Sequence, residues 1–180
     1  MNTQKIEIKE KGTREFYREL VNITSQYRSL IKKTDMKLRN NFNLYKSYII
    51  ICAAFLIALS LMAVFWGADT MMVVGLVLMV IVIAFCGVFL YSMKRMVNSY
   101  LADESPSVLT LDDNGVELDK GGSKVVRLAW DNIAFVRAFS ESVCFFAKDG
   151  SGFIIGVYHV YKEEILTYLR SSETSVKVIE

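Results

Sequence analysis

One histidine, His159, and three cysteines, Cys52, Cys86 and Cys144, are the only imidazole and thiol groups in this sequence. A lone histidine cannot build a histidine-based metal cluster or a nucleophilic triad. The cysteines form no close-spaced pair, so no zinc motif or CxxC redox motif is spelled out. They read as small apolar residues in a reducing compartment. Gly121-Gly122-Ser123-Lys124 and Gly150-Ser151-Gly152 contain the glycines a phosphate loop would use. Both runs fall in strand-to-strand turns, whereas a phosphate loop needs a following helix whose N-terminus faces the anion. The expectation is therefore a chain that is not an enzyme, with no catalytic, metal or cofactor-binding residues.

Trp130, ahead of Asp131-Asn132-Ile133, is the most distinctive polar-region residue, and a tryptophan at a strand corner can anchor a partner protein. Trp130, Asp131, Ile133 and Phe135 are the candidate interaction residues. The plainer reading makes Trp130 a core residue that holds its strand to a closing helix, with Asp131 or Asn132 capping the corner.

The elements that would position these residues divide sharply. Residues 48–66 and 71–91 are apolar runs without a Lys, Arg, Asp or Glu, separated only by Gly67-Ala68-Asp69-Thr70. Roughly 20 apolar residues cross about 30 Å of hydrocarbon, so both runs qualify as transmembrane helices forming an antiparallel hairpin. The apolar fraction of 53% exceeds the roughly 45–50% usual for soluble domains, and the excess sits almost wholly in these two runs. Lys32, Lys33, Lys37, Arg39 and Lys46 precede the first run and Lys94 and Arg95 follow the second, while the turn has no basic residue. The positive-inside rule then expects both termini in the cytoplasm and a multi-pass protein of the plasma or inner membrane. The first forty-odd residues are polar and do not resemble a cleavable signal. No ionisable residue lies inside either run, which argues against an ion or proton route. Ala54, Ala58, Gly75 and Gly87 are the small residues expected to let helices pack closely in lipid. Ser60, alone in the first run, is expected to bond back to its own helix.

Residues 1–47 read as an amino-terminal arm. Lys5 to Lys9 alternate as a short strand, which needs a sheet elsewhere. Thr13 is an expected helix N-cap with Glu15 in the first turn. Phe16, Leu20, Ile23, Tyr27 and Leu30 continue an amphipathic stripe, and no proline stops the helix from running on into the membrane. Its partner could be the carboxy-terminal domain, a second copy or the lipid interface.

Residues 92–106 form a junction, with the only proline at Pro106. From 107 to 170, short apolar runs recur about every ten residues between turn sequences, the pattern of an antiparallel meander curling into a small barrel or half-barrel. Asn114-Gly115 marks the first hairpin, on the ground that both residues tolerate positive φ. Tyr158, Tyr161, Ile165, Tyr168 and Leu169 share one face of a helix that closes the domain, and 171–180 read as a flexible tail.

The runs Leu109-Thr110-Leu111-Asp112-Asp113-Asn114-Gly115-Val116 and Leu128-Ala129-Trp130-Asp131-Asn132-Ile133, with Phe153-Ile154-Ile155 ahead of Lys162-Glu163-Glu164, resemble the bacterial pleckstrin-homology-like membrane proteins, most closely the YcxB-like family. The resemblance covers most of the chain, although Gly156 stands near where such sequences often carry proline. It implies an α+β membrane protein: a transmembrane hairpin, an N-terminal amphipathic helix, and a PH-like antiparallel β domain closed by one helix. It implies no reaction or cofactor.

Charge narrows the partners. The net charge of +2 gives no ground for a nucleic-acid partner. Phosphoinositide headgroups are disfavoured because the first hairpin loop is acidic, and because ten basic residues face thirteen acidic ones from residue 92 onward. The expected partners are the lipid bilayer and either a protein or a second copy, held by a membrane-anchored binding or scaffold module. The alternative is an immunity factor or accessory subunit acting through its hairpin on a larger membrane target.

Overall fold

The computed structural model describes residues 3–9, 12–67, 69–103, 105–121, 124–172 and 176–179. Strand β1 (Gln4–Ile8) is followed by helix α1 (Arg14–Lys32), the long apolar helices α2 (Asn41–Trp66) and α3 (Thr70–Ala102), and six strands. These are β2 (Ser107–Asp112), β3 (Gly115–Lys120), β4 (Lys124–Ala129), β5 (Ile133–Ala138), β6 (Ser142–Ala147) and β7 (Ile154–Tyr158). Helix α4 (Lys162–Ser171) and a two-residue strand β8 (Val178–Ile179), which falls within the 171–180 stretch read as a flexible tail, are the last described elements. The chain is thus α+β, with sheets that are antiparallel except where β8 joins β5, and with two helices long and apolar enough to cross a membrane.

Two compact units result: Met1–Leu38 together with Ser99–Glu180, and Arg39–Asn98. The first is built from both flanks of the apolar hairpin. β1 lies antiparallel to β2, with Ile6 opposite Leu109, and extends the β2–β3–β4 meander into a four-stranded sheet. The amino-terminal strand therefore joins the carboxy-terminal domain. A second sheet runs β7–β6–β5–β8. The expected single meander is corrected here: β5 does not continue from β4, because a tight helical turn at Trp130–Asn132 sends the chain into a new sheet.

The main core lies between the sheets and α4. Leu109, Leu111 and Val116 from the first sheet meet Val136, Phe145 and Ile155 from the second, with Ile165 and Leu166 of α4 closing one end. A second cluster covers the opposite face of the second sheet, where Ile23, Tyr27 and Leu30 of α1 pack on Phe135, Cys144 and Phe146. All six residues of β6 are consequently buried. The stripe on α1 finds its partner in its own domain.

Helix α1 does not run on into the membrane-type segment. It starts where expected, with the Thr13 hydroxyl accepting from the Phe16 N–H at 3.2 Å. It stops at Lys32, and α2 begins afresh with Asn40 as its cap, accepting from Asn43 N–H at 3.2 Å. Arg137 holds the intervening segment, donating to the carbonyls of Thr34 (2.6 Å) and Met36 (2.9 Å).

The first hairpin forms at the expected place by a different mechanism. Asp112 pairs with Gly115 across Asp113-Asn114, and no non-glycine residue among those described has positive φ. Instead the Asp112 carboxylate accepts from the N–H groups of Asn114 (2.7 Å) and Gly115 (2.9 Å), an Asx-type turn. Gly115 is needed for space: a Cβ there would lie 2.1 Å from the Leu128 carbonyl oxygen. The second turn has Gly121 at φ +58°, while Gly122 and Ser123 lie outside the described residues.

In the other unit, α2 and α3 flank Gly67, at φ +84°, and the Asp69 carboxylate caps α3 by accepting from Met72 N–H at 2.7 Å. At about 1.5 Å per residue, α3 is roughly 50 Å long, because it continues through most of the segment read as a junction. Partly covered positions recur at three- and four-residue steps, including Tyr45, Ile49, Leu56 and Leu59 on α2 and Gly75, Met79 and Ile83 on α3. Tyr45 tilts against Phe89, with ring centroids 5.0 Å apart. The outer faces, with Ile50, Phe55, Ile57, Val77 and Ile81, are exposed. Ser60 donates to its own helix at Leu56 (2.8 Å), as expected.

Candidate functional site

A groove of about 850 Å³ opens in the β-rich unit. One wall is the first half of α1, with Phe16, Tyr17, Leu20 and Thr24; β7 and Phe153 form its back. The opposite side comes from the ends of β1, β2 and β3, through Glu7, Val108 and Lys120, and from Val126 of β4. Tyr100 and Asp103, at the end of α3, complete the rim.

Glycines and aromatic packing shape this groove. A Cβ at Gly12 would meet the Phe16 ring at 2.1 Å, so the glycine lets that ring fold under the chain. Gly156 plays the same part for Leu20, whose Cδ2 would be 2.3 Å from an added Cβ. Phe16 meets Tyr158 edge-on at 5.4 Å, and Tyr17 stacks on Tyr100 at 5.8 Å. Burial and the nearby Asp103 carboxylate push the Tyr17 phenol above its ordinary pKa, keeping it a neutral hydrogen-bond donor. Asp103 is held below the usual carboxylate range, chiefly by hydrogen bonds from Ser105, and it pairs with Lys120 at 3.6 Å. The result is an aromatic trough with one ion pair on its rim. Such a surface suits binding: apolar area supplies affinity and a few polar groups fix orientation.

The sequence-derived candidates fall elsewhere. Trp130 is half-buried, stacks on Tyr168 (6.5 Å) and donates its indole N–H to the Asp112 carbonyl (2.8 Å). It ties the first hairpin to the closing helix. Asp131 is exposed. Ile133 and Phe135 are both buried, but in different places: Ile133 in the main core and Phe135 in the cluster under α1. A register irregularity between them puts them on opposite faces of β5. The four residues therefore do not form one surface.

Among the hairpin residues, Gly75 sits against Leu59, whose Cδ1 would be 3.6 Å from an added Cβ. Ala54 and Ala58 lie exposed on α2, and nothing would stand within 4 Å of a Cβ at Gly87.

Two polar features were not among the sequence-derived candidates. Glu19, nearly buried on α1, accepts from the hydroxyls of Ser140 (2.6 Å) and Ser142 (2.7 Å) and from the Glu141 N–H (3.0 Å). Its position three residues after Phe16 and four before Ile23 put it on the buried stripe, and that spacing was the available signal. Cys144, fully buried beneath it, has its thiol pushed up to about 12 by desolvation. A thiol so protonated is a poor nucleophile. His159 faces Glu141 with Nδ1 at 3.7 Å from the carboxylate and lies edge-on to the Tyr158 ring at 4.6 Å. Among the described residues, no three His, Cys, Asp or Glu side chains stand close enough together to hold a metal ion.

Comparison of this chain with protein-family models, curated proteins and solved structures finds no match in any of the three.

Proposed function

We propose that this protein is a membrane-anchored binding module, with a PH-like domain at the cytoplasmic face that holds a protein segment or a second copy in its aromatic groove. The aromatic groove, rimmed by the last turn of α3, is the observation that carries this reading. A partner held there is tied directly to the end of an apolar helix. The antiparallel sheets and the closing helix α4 are the parts that the resemblance to YcxB-like proteins calls for. The route of the chain supports a hairpin across the bilayer. β1 pairs with β2 although both apolar helices separate them in the sequence, which supports placing the two flanks on one side of a bilayer. Two crossings satisfy that and one crossing does not. The basic residues flanking the hairpin favour the cytoplasm for that side by the positive-inside rule.

A photo-crosslinker at Thr24, inside the groove, tests the reading in native membranes. A discrete adduct to one protein or to a second copy is expected, and it should vanish in Val126→Arg, which fills the groove. The same adduct pattern from a control crosslinker at exposed Lys148 would contradict the proposal.

The alternative, an accessory or immunity protein acting through its hairpin on a larger membrane target, is favoured by the outward position of Ala54 and Ala58 on α2. Replacing 41–98 with an unrelated hairpin should preserve the groove adduct under the first reading and abolish function under the second.

A further inference from the structure

The last described residues of the chain lie along the outer edge of β5. The Val136 N–H donates to the Lys177 carbonyl at 2.9 Å, and Val136 and Arg137 are partnered by Val178 and Ile179. This pairing is parallel, whereas every other strand pair described in the two sheets is antiparallel. The side chains divide between two sites: Val176 and Val178 rest on the main core, and Ile179 rests on the cluster beneath α1. The segment thus straddles the sheet edge with apolar groups on both faces. Yet the strand is two residues long and both of them stay half-exposed. Main-chain bonds to an open edge, with alternate side chains in separate pockets, are the means by which sheet edges recognise extended peptides.

We propose that the β5 edge is a peptide-binding site, filled in cis by residues 176–179 of this chain and open to a partner strand when they leave. The ligand class follows from the resident strand: an extended segment parallel to β5, with branched apolar side chains at the positions of Val176, Val178 and Ile179. None of the groove residues belongs to β5 or to this segment, so this site stands or falls independently of the groove.

The test uses the full chain and a chain ended after Ser172, both in detergent micelles, with a fluorescent peptide of residues 172–180. The shortened chain should stay folded and bind the peptide saturably, and peptides carrying Val178→Asp or Ile179→Asp should not bind. A resident strand on a short link competes at about a millimolar effective concentration, so for a peptide that the shortened chain binds with a Kd of about 0.1 mM the full chain should bind roughly ten-fold more weakly. Full-length Val178→Asp, which keeps the segment but releases it, should bind like the shortened chain. Unfolding of the shortened chain, or a folded one that ignores the peptide, would make β8 a structural strand and overturn the proposal. Equal binding by the full chain would move the peptide to another surface and overturn it as well. Self-association of the full chain that disappears on shortening would assign the edge to a second copy and overturn the cis arrangement.

Discussion

The Glu19 carboxylate accepts a 2.7 Å hydrogen bond from the Ser142 hydroxyl, joining residues that lie 123 positions apart on opposite sides of the apolar hairpin. Ser140 and the Glu141 N–H complete the clamp, so one carboxylate on α1 organises the whole β5–β6 turn. Glu19→Ala leaves these donors without their acceptor at a nearly buried position. Hydrogen bonds to charged groups contribute about 1.5–3 kcal/mol, and denaturant titration of the purified protein should show a loss in that range. A loss no larger than for exposed Glu15→Ala would mean that the clamp contributes nothing.

Cys144 gives a pH signature. Its thiol is pushed up to about 12 in the folded protein by burial, against about 8.5 for a free cysteine. The folded state therefore holds this proton more tightly than the unfolded state. Its contribution to stability is complete below about pH 8.5 and is lost as the pH rises toward 12. Cys144→Ala should flatten that alkaline decline when unfolding is followed between neutral and alkaline pH. In the native protein at pH 8, maleimide should leave Cys144 unmodified until denaturant is added.

Gly115 and Gly150 should respond to alanine for different reasons. At Gly115 the new Cβ would press on the Leu128 carbonyl and the Ala129 Cα, at 2.1 and 2.8 Å, and such overpacking costs about 1–3 kcal/mol. Gly150 has open space but φ +72°, where a side chain costs about 1–2 kcal/mol of backbone strain. Asparagine tolerates that conformation better than alanine. Gly150→Asn should therefore recover stability relative to Gly150→Ala, while Gly115→Asn should not, as thermal unfolding of the four variants would reveal.

Trp130 should behave as an internal brace. Trp130→Phe keeps a ring beside Tyr168 but drops the bond to the Asp112 carbonyl, for a loss of about 1 kcal/mol. Trp130→Ala also empties the contact and should lose about 3 kcal/mol. Both variants should retain the groove crosslink at Thr24 once folded. Loss of the adduct in stable Trp130→Phe would instead make the indole part of a binding surface.

Much of this architecture was legible because local chemistry announced it. The two apolar runs, the Thr13 cap, the back-bonded Ser60 and the apolar face of α4 each follow from residues near one another in sequence. The failures concern relationships that cross long distances. Alternation along β5 puts Ile133 and Phe135 on one face, but the irregularity between them turns Phe135 toward α1. That shift answers to the pairing with β6, which the β5 sequence does not encode. Asn114-Gly115 marked the right hairpin for the wrong reason, because Gly115 is held by a neighbouring strand and not by a turn angle. The groove was invisible for the same cause: Tyr17 and Tyr100 meet only after both flanks of the hairpin have folded together. Strand β8, two residues long, is too short for any pattern to announce.

Side-specific cysteine labelling in intact membranes tests the central claim most directly: one domain assembled from both flanks of a two-crossing hairpin. In a background with Cys52, Cys86 and Cys144 replaced, Lys5→Cys and Lys148→Cys should both react with an impermeant maleimide only from the cytoplasmic side. Asp69→Cys should react only from the opposite side. Labelling of the Lys5 and Lys148 positions from opposite sides, or of Asp69 from the same side as both, would contradict the account.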